Sequence, residues 1–189
     1  MTVVEGVARY RPAQMRVITA ALGLFAEHGV SGTSLQMIAN TMGVTKAAIY
    51  YQFKTKEEIV LAVADLELAG LEAAIEAAEA EGRTPRAREV LLEQVIDLAI
   101  ERRHMVGVLQ TDPVMMRFLA EHEPFVRVTD RLFAVLLGDG PDAEGWVRGA
   151  MVSGAIAGAL AHPRVAQLDD GTLRAHLLAL TRRIVDLPH

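Results

Sequence analysis

The chain has 189 residues, of which 51% are hydrophobic, and a net charge of −5; that length and apolar fraction support one large domain or two small ones and exclude a disordered chain. It has no cysteine, which excludes disulfides and thiolate metal sites. Its longest strongly apolar run, the 13 residues from Gly149 to Ala161, falls short of the ~20 that a membrane-spanning helix needs. With no charged-then-apolar leader at the N-terminus, the cytoplasm is the expected location.

Helical periodicity runs almost from end to end without sustained strand alternation, so an all-α fold is predicted. Pro12 to His28 reads as the first helix, with Val17, Ile18, Ala21, Leu22 and Phe25 on one face and Gly29 closing it. Ser34 and Thr45 are natural N-caps for the two short helices that follow. Ala39 is small where those helices would cross, and Gly43 can take the positive φ of a sharp helix exit. Ile38, Met42, Val44 and Ile49 are left to fill the angle between them. A small residue, a glycine and a buried aliphatic in that order are what a helix-turn-helix requires.

On a wheel of about 100° per residue, Val44, Ala48 and Ile49 fall on the inward side of the second short helix, and Lys46, Ala47 and Tyr50 outward. Lys46 can reach a phosphate or a guanine edge, and Ala47 allows close approach or contact with a thymine methyl. Tyr50 and Tyr51 carry hydroxyls on rigid arms that suit phosphate oxygens. Thr55 opens the next helix through a capping box with Glu58, leaving Lys56 at a helix N-terminus, where an anion is favoured. Phe25, Ile38, Ile49 and Phe53 are predicted to hold the three-helix unit together. Residues 1–56 carry six Lys/Arg against two Asp/Glu, and residues 57–189 thirteen against twenty-two, so the basic end contains the motif and is the end suited to a polyanion.

The helix opened by Thr55 is predicted to run to about Ala80, and Gly82 to Pro85 separates it from a helix reaching His104. A break at Thr111–Pro113 precedes a short helix to His122, a helix from Pro124 to Leu137, and a turn over Gly138–Pro141. The last two helices carry two patterns. Leu173, Leu177, Leu180, Ile184 and Leu187 follow an a/d spacing, while Ala150, Ser153, Gly154, Ala157, Gly158 and Ala161 form a small-residue face on Asp142–His162. Packing within the chain and association between chains both account for these patterns. His104, Met105, Val108, Leu109, Met115, Met116, Phe118, Leu119, His122, Phe125, Trp146 and Met151 are candidates to line an apolar cavity, with His104, Gln110, Asp112, Arg117 or His122 as orienting groups. Ordinary core packing is the competing reading. His104, Asp112 and His122 match no metal-binding spacing, and no phosphate loop, nucleophile elbow or triad argues for an enzyme.

From about Thr33 to Ile59 the sequence resembles the DNA-binding signature of the TetR family of bacterial regulators, through Thr33, Ile38–Ala39, Gly43–Val44–Thr45, Ile49–Tyr50, Phe53 and Lys56–Glu57. The resemblance implies a helix-turn-helix DNA-binding domain over 1–54 and a helical ligand-binding and dimerisation domain over 55–189. Thr45, Lys46 and Ala47 would face bases or phosphates, Tyr50, Tyr51 and Lys56 would hold the backbone, and Thr33 and Ser34 would touch the flanking strand. It further implies a homodimer through Ser153, Gly154, Ala157, Gly158, Leu173, Leu177, Leu180 and Ile184, reading a palindromic double-stranded operator. A small, largely apolar ligand at His104, Met105, Leu109, Met115, Met116, Leu119, His122, Trp146 and Met151 would release the repressor; a regulator without a small-molecule ligand is the alternative. No cofactor, metal, membrane partner or catalytic activity is expected.

Overall fold

A computed structural model describes residues 10–103, 112–138 and 142–185. Among them there is no strand. The helices are α1 (Pro12–Gly32), α2 (Leu35–Met42), α3 (Lys46–Gln52), α4 (Lys56–Ala80), α5 (Pro85–Glu101), α6 (Pro113–Glu121), α7 (Glu123–Leu137), α8 (Ala143–Ala161) and α9 (Asp170–Ile184), with a 3-10 turn at Val165–Gln167 before the last. The described residues of Met1–Gly70 and Val108–Val126 form one compact unit, and those of Leu71–Gly107 and Arg127–His189 a second. No helix of the described residues is long and apolar enough to cross a membrane.

The first unit is built on α1, α2, α3, the beginning of α4, and α6. Pro12 occupies the first turn of α1, where its missing N–H costs nothing. The Gln14 side chain reaches back to accept the Arg11 N–H at 3.1 Å. Gly29 breaks the helix as expected, with φ 71° and ψ 168°, yet helical geometry resumes over Val30–Gly32 rather than stopping there. Val17, Ile18, Ala21 and Phe25 of α1, Ile38 and Ala39 of α2, Ile49 of α3, Phe53, and Ile59 and Val63 of α4 are buried in this unit. The capping box at the start of α4 is offset by one residue from the expected form. Glu58 N–H donates to Thr55 Oγ1 at 3.2 Å, but the Glu58 carboxylate accepts from Lys54 N–H at 2.7 Å rather than from the cap itself.

The second unit packs α5 against α8 and α9. A ladder of ion pairs lies along the α5 and α9 pair: Arg182 meets Glu89 at 2.7 Å and Glu93 at 3.4 Å, and Arg174 holds Asp97 through two nitrogens. Arg88 donates to the carbonyls of Leu136 and Val185, supplying partners at the C-terminal ends of α7 and α9. Helices α7 and α8 meet at Gly149, where an added Cβ would lie 3.1 Å from both Phe133 and Leu137. α5 ends at Glu101, short of the predicted His104, which lies outside the described residues.

Phe25 is fully buried, so Phe25→Ala is expected to destabilise the first unit by about 3–5 kcal/mol. Denaturant unfolding followed by hydrogen exchange over α1 to α3 is the measurement; a loss under about 1 kcal/mol would show that the site collapses around the truncation.

Candidate nucleic-acid interface

Local chemistry fixes both short helices. Ser34 Oγ accepts from Met37 N–H at 3.2 Å and starts α2, and Thr45 Oγ1 accepts from Ala48 N–H at 3.2 Å and starts α3. Between them Gly43 sits at φ 64°, ψ 32°. Its N–H donates to Asn40 O at 3.1 Å and that of Val44 to Ala39 O at 3.0 Å, the paired bonds of a Schellman ending. No atom lies within 4 Å of where a Cβ would stand, so glycine is favoured here by its backbone freedom rather than by space.

Ile49 anchors α3 in the core, and the rest of the helix is open. Lys46, Ala47, Ala48, Tyr50 and Tyr51 are exposed, Tyr51 most of all at 72%. The Lys46 ammonium stands 5.7 Å from the Tyr50 ring centroid, within cation–π range. Lys54 Nζ donates to the Tyr50 carbonyl at 3.3 Å, which keeps a second cation near the end of the helix. Ala48, expected to point inward, instead borders a shallow cleft of about 160 Å³ between α1 and α3, whose walls include Arg16 and Gln52. Ser34 and Thr45 are exposed, and an accepting hydroxyl still has its own proton to give. Lys56 is the first residue of α4 and is half-buried.

Thr33 departs from the expectation of a flanking-strand contact. It is 2% exposed, and its hydroxyl donates to Gly29 O at 2.8 Å and Leu24 O at 3.2 Å. The hydroxyl is occupied in satisfying carbonyls freed by the break at Gly29, which makes Thr33 the clasp between α1 and α2.

The predicted cavity residues do not form one described cluster. His104, Met105 and Leu109 lie outside the described residues. Met115, Met116, Leu119 and His122 belong to the first unit, and Trp146 and Met151 to the second. Met115 and Leu119 are buried as ordinary packing, whereas Met116 is exposed. His122 Nε2 is 2.8 Å from Asp65 Oδ1, and the other oxygen of that carboxylate accepts from the Tyr10 hydroxyl at 2.8 Å. Trp146 packs edge-on against Phe133, with 5.7 Å between ring centroids; Trp146 remains 46% and Met151 57% exposed.

The association pattern is likewise divided. Leu173, Leu177 and Ala157 are buried within the second unit. An a/d spacing does not state which helix it faces, and here α9 turns those positions toward its own chain. Ser153 donates its hydroxyl to the Gly149 carbonyl at 3.0 Å. Gly154, Gly158 and Leu180 are exposed, Ile184 partly so, and Leu187 lies outside the described residues.

Asp112 is the residue whose role the sequence concealed. One carboxylate oxygen accepts from the N–H groups of Val114 and Met115, at 2.9 and 3.2 Å, and caps α6. The other accepts from Val30 and Ser31 at 2.8 and 3.4 Å, directly after the break in α1. Burial pushes this carboxyl up, but the amides of Met115, Val30, Val114 and Ser31 together outweigh it and hold the group below its ordinary value. Its cap is legible in Asp112-Pro113; the partners 82 and 81 residues away are not.

A sequence model described as "Bacterial regulatory proteins, tetR family" matches residues 17–63, a span that includes most of α1, the two short helices and the start of α4. Residues 17–63 thus carry the sequence signature of that family. Its relatives include the HTH-type transcriptional regulator AcrR of Shigella flexneri, 46% identical over 46 residues, which are 24% of this chain and 21% of that protein. The HTH-type transcriptional repressor AcnR of Corynebacterium diphtheriae is 27% identical over 58% of this chain and 57% of its own length. The chain thus spans about a fifth of the first relative and just over half of the second. The fold of the chain is similar to that of FadR from Bacillus subtilis, crystallised with stearoyl-CoA, at a TM-score of 0.61 and 20% identity, covering 93% of this chain and 99% of that one.

Asp112→Asn is expected to be less stable than the wild type at neutral pH. Because the folded carboxyl lies below the unfolded value of about 3.9, its contribution is complete above that value and is lost as pH falls through the folded one. Thermal melts of both proteins from neutral to acid pH should therefore show a gap that closes below about pH 4. A gap independent of pH would assign the loss to something other than this charge.

Proposed function

We propose that this chain is a cytoplasmic transcriptional repressor that binds a palindromic double-stranded operator as a homodimer and is released by a small, largely apolar ligand. The observation that carries the DNA reading is the exposed outer face of α3, with Lys46, Ala47, Tyr50 and Tyr51 outside a helix whose buried residue is Ile49. Lys46 and Ala47 address bases or phosphates from the first turn, Thr45 and Ser34 offer hydroxyls at two helix starts, and Tyr50, Tyr51 and Lys56 hold the backbone. The division of labour we propose runs between residues 54 and 55, with the helix-turn-helix before it and ligand binding and association after it, and Lys56 adding a backbone contact from the start of α4.

One seven-residue helix reads only a few base pairs, so a two-fold pair is needed for specificity, with half-sites about 34–36 Å apart. For the association face we favour the outer side of α8, where Val147, Ala150, Met151, Gly154, Gly158 and Ala161 are all exposed, together with Leu180 and Ile184 of α9. Gly154 and Gly158 have nothing within 4 Å of an added Cβ, although a helix-interior glycine costs about 1 kcal/mol relative to alanine. Close approach by a helix of a second copy gives that cost a reason. The ligand reading is supported by the stearoyl-CoA held by FadR; we place the coupling in α4, whose residues belong to both compact units. A ligand acts only by as much as it prefers the released state.

Selection of bound fragments from the organism's own DNA is expected to return a palindrome. Lys46→Ala should then weaken binding to it while the melting temperature stays unchanged, and wild-type affinity in that variant would remove α3 as the reader. The double variant Gly154→Leu, Gly158→Leu enters open space within the chain and should fold. Its mass by light scattering is expected to be that of one chain where the wild type gives two, with operator affinity falling alongside; an unchanged mass would place the interface elsewhere.

A further inference from the structure

We infer that α1 supplies the phosphate contact on the flank of α3 that α3 leaves uncharged, with Arg16 as the contacting residue. The inference rests on α3 being the reading helix. A helix in the major groove, about 12 Å wide, has a sugar-phosphate strand along each side, so both of its flanks face negative charge. Around α3, Ala47 and Tyr51 stand opposite the buried Ile49, Lys46 and Tyr50 lie on one side of them, and Ala48 and Gln52 on the other. The first flank carries its own cation in Lys46, with Lys54 on the Tyr50 carbonyl behind it. The second offers a methyl and an amide.

Arg16 stands across the shallow cleft from that second flank, lining it from α1 while Ala48 and Gln52 line it from α3. It is exposed, and no carboxylate among the described residues engages it. Arg131, Arg174 and Arg182, by contrast, are each bound to acidic side chains. The one acidic residue of α1, Glu27, is eleven residues on, roughly 16 Å along the helix, too far to neutralise it at physiological salt. The placement of Arg16 beside α3 is also held by bonds: Arg11 donates to Gln14 Oε1, and Gln14 Nε2 donates to the Gln52 carbonyl at 3.4 Å, tying the start of α1 to the end of α3. A guanidinium fixed there presents a planar fork of N–H groups to a phosphate, and it positions the reading helix without selecting a base.

Arg16→Met keeps the apolar stem against the cleft and removes the charge; Arg16→Lys returns the charge. Affinity for the selected palindromic duplex and for a scrambled duplex is measured across a salt series, with a melting curve for each protein. Arg16→Met is expected to reduce the magnitude of the slope of log affinity against log salt by about 0.9 per protomer, with the same half-site preference and melting temperature, and Arg16→Lys to restore it. A wild-type slope in Arg16→Met overturns the inference, as does a slope that lysine fails to restore. If the wild type does not distinguish the two duplexes, it is the assignment of α3 as the reader that has failed, a result separable from an unchanged slope at a duplex the wild type does distinguish.

Discussion

The left-handed turn at Gly43 is the constraint on which the helix-turn-helix unit depends. Helices of eight and seven residues are well below the ~12–15 at which an isolated helix holds its shape in water, so neither α2 nor α3 persists by itself. What keeps them is a shared core, and that core can form only if the chain reverses between them within three residues. Gly43 does this at φ 64° while the N–H groups of Gly43 and Val44 remain bonded to the end of α2. A side chain at that position would meet no neighbour yet would carry a conformational cost of about 1–2 kcal/mol. The turn therefore orients Ile49 inward and, by the same rotation, Ala47 and Tyr51 outward.

Features set by adjacent residues were legible in the sequence. The caps at Ser34 and Thr45, the αL glycine, the breaks at Gly29 and Pro113, and the core role of Phe25, Ile38, Ile49 and Phe53 all follow from spacings of a few residues, and the structure has them. Where an interaction joins distant segments, spacing was silent or ambiguous. Asp112 reads as a candidate orienting group for a cavity, whereas one of its oxygens caps α6 and the other is bound to the α1 break. Thr33 reads as a polar residue near a DNA contact, although its hydroxyl is needed by carbonyls that the kink has freed. Leu173 and Leu177 show an apolar stripe whose partner only the fold names. Ala48 was placed inward because a short helix gives too few positions to define the width of its buried face.

The distribution of charge gains meaning from who is paired with whom. Residues 57–189 hold the acidic excess, but part of it is spent internally: Glu89, Glu93 and Asp97 face Arg182 and Arg174, and Glu79 holds Arg131 at 2.7 Å. Each pair is partly exposed and contributes modestly to stability; together they fix the register of α5 against α9. In the first unit the balance differs. Lys46 and Arg16 have no carboxylate partner among the described residues, so their charge is available to an external anion. A chain of net negative charge can accordingly present unpaired cations on its first unit.

Helix α8 poses the converse problem, an apolar surface without a cover. Gly149, Val152, Ile156 and Leu160 are buried on one side, yet Val147, Ala150, Met151, Gly154 and Gly158 on the other are exposed. A helix apolar all round belongs in an interior, and an extended uncovered apolar face marks an association surface. The glycines sharpen the argument because the three serve different needs. At Gly149 an added methyl would crowd Phe133 and Leu137, while at Gly154 and Gly158 it would meet nothing within 4 Å. Their cost to helix stability has no return among the described residues of one molecule, which is what the proposed association with a second copy would explain.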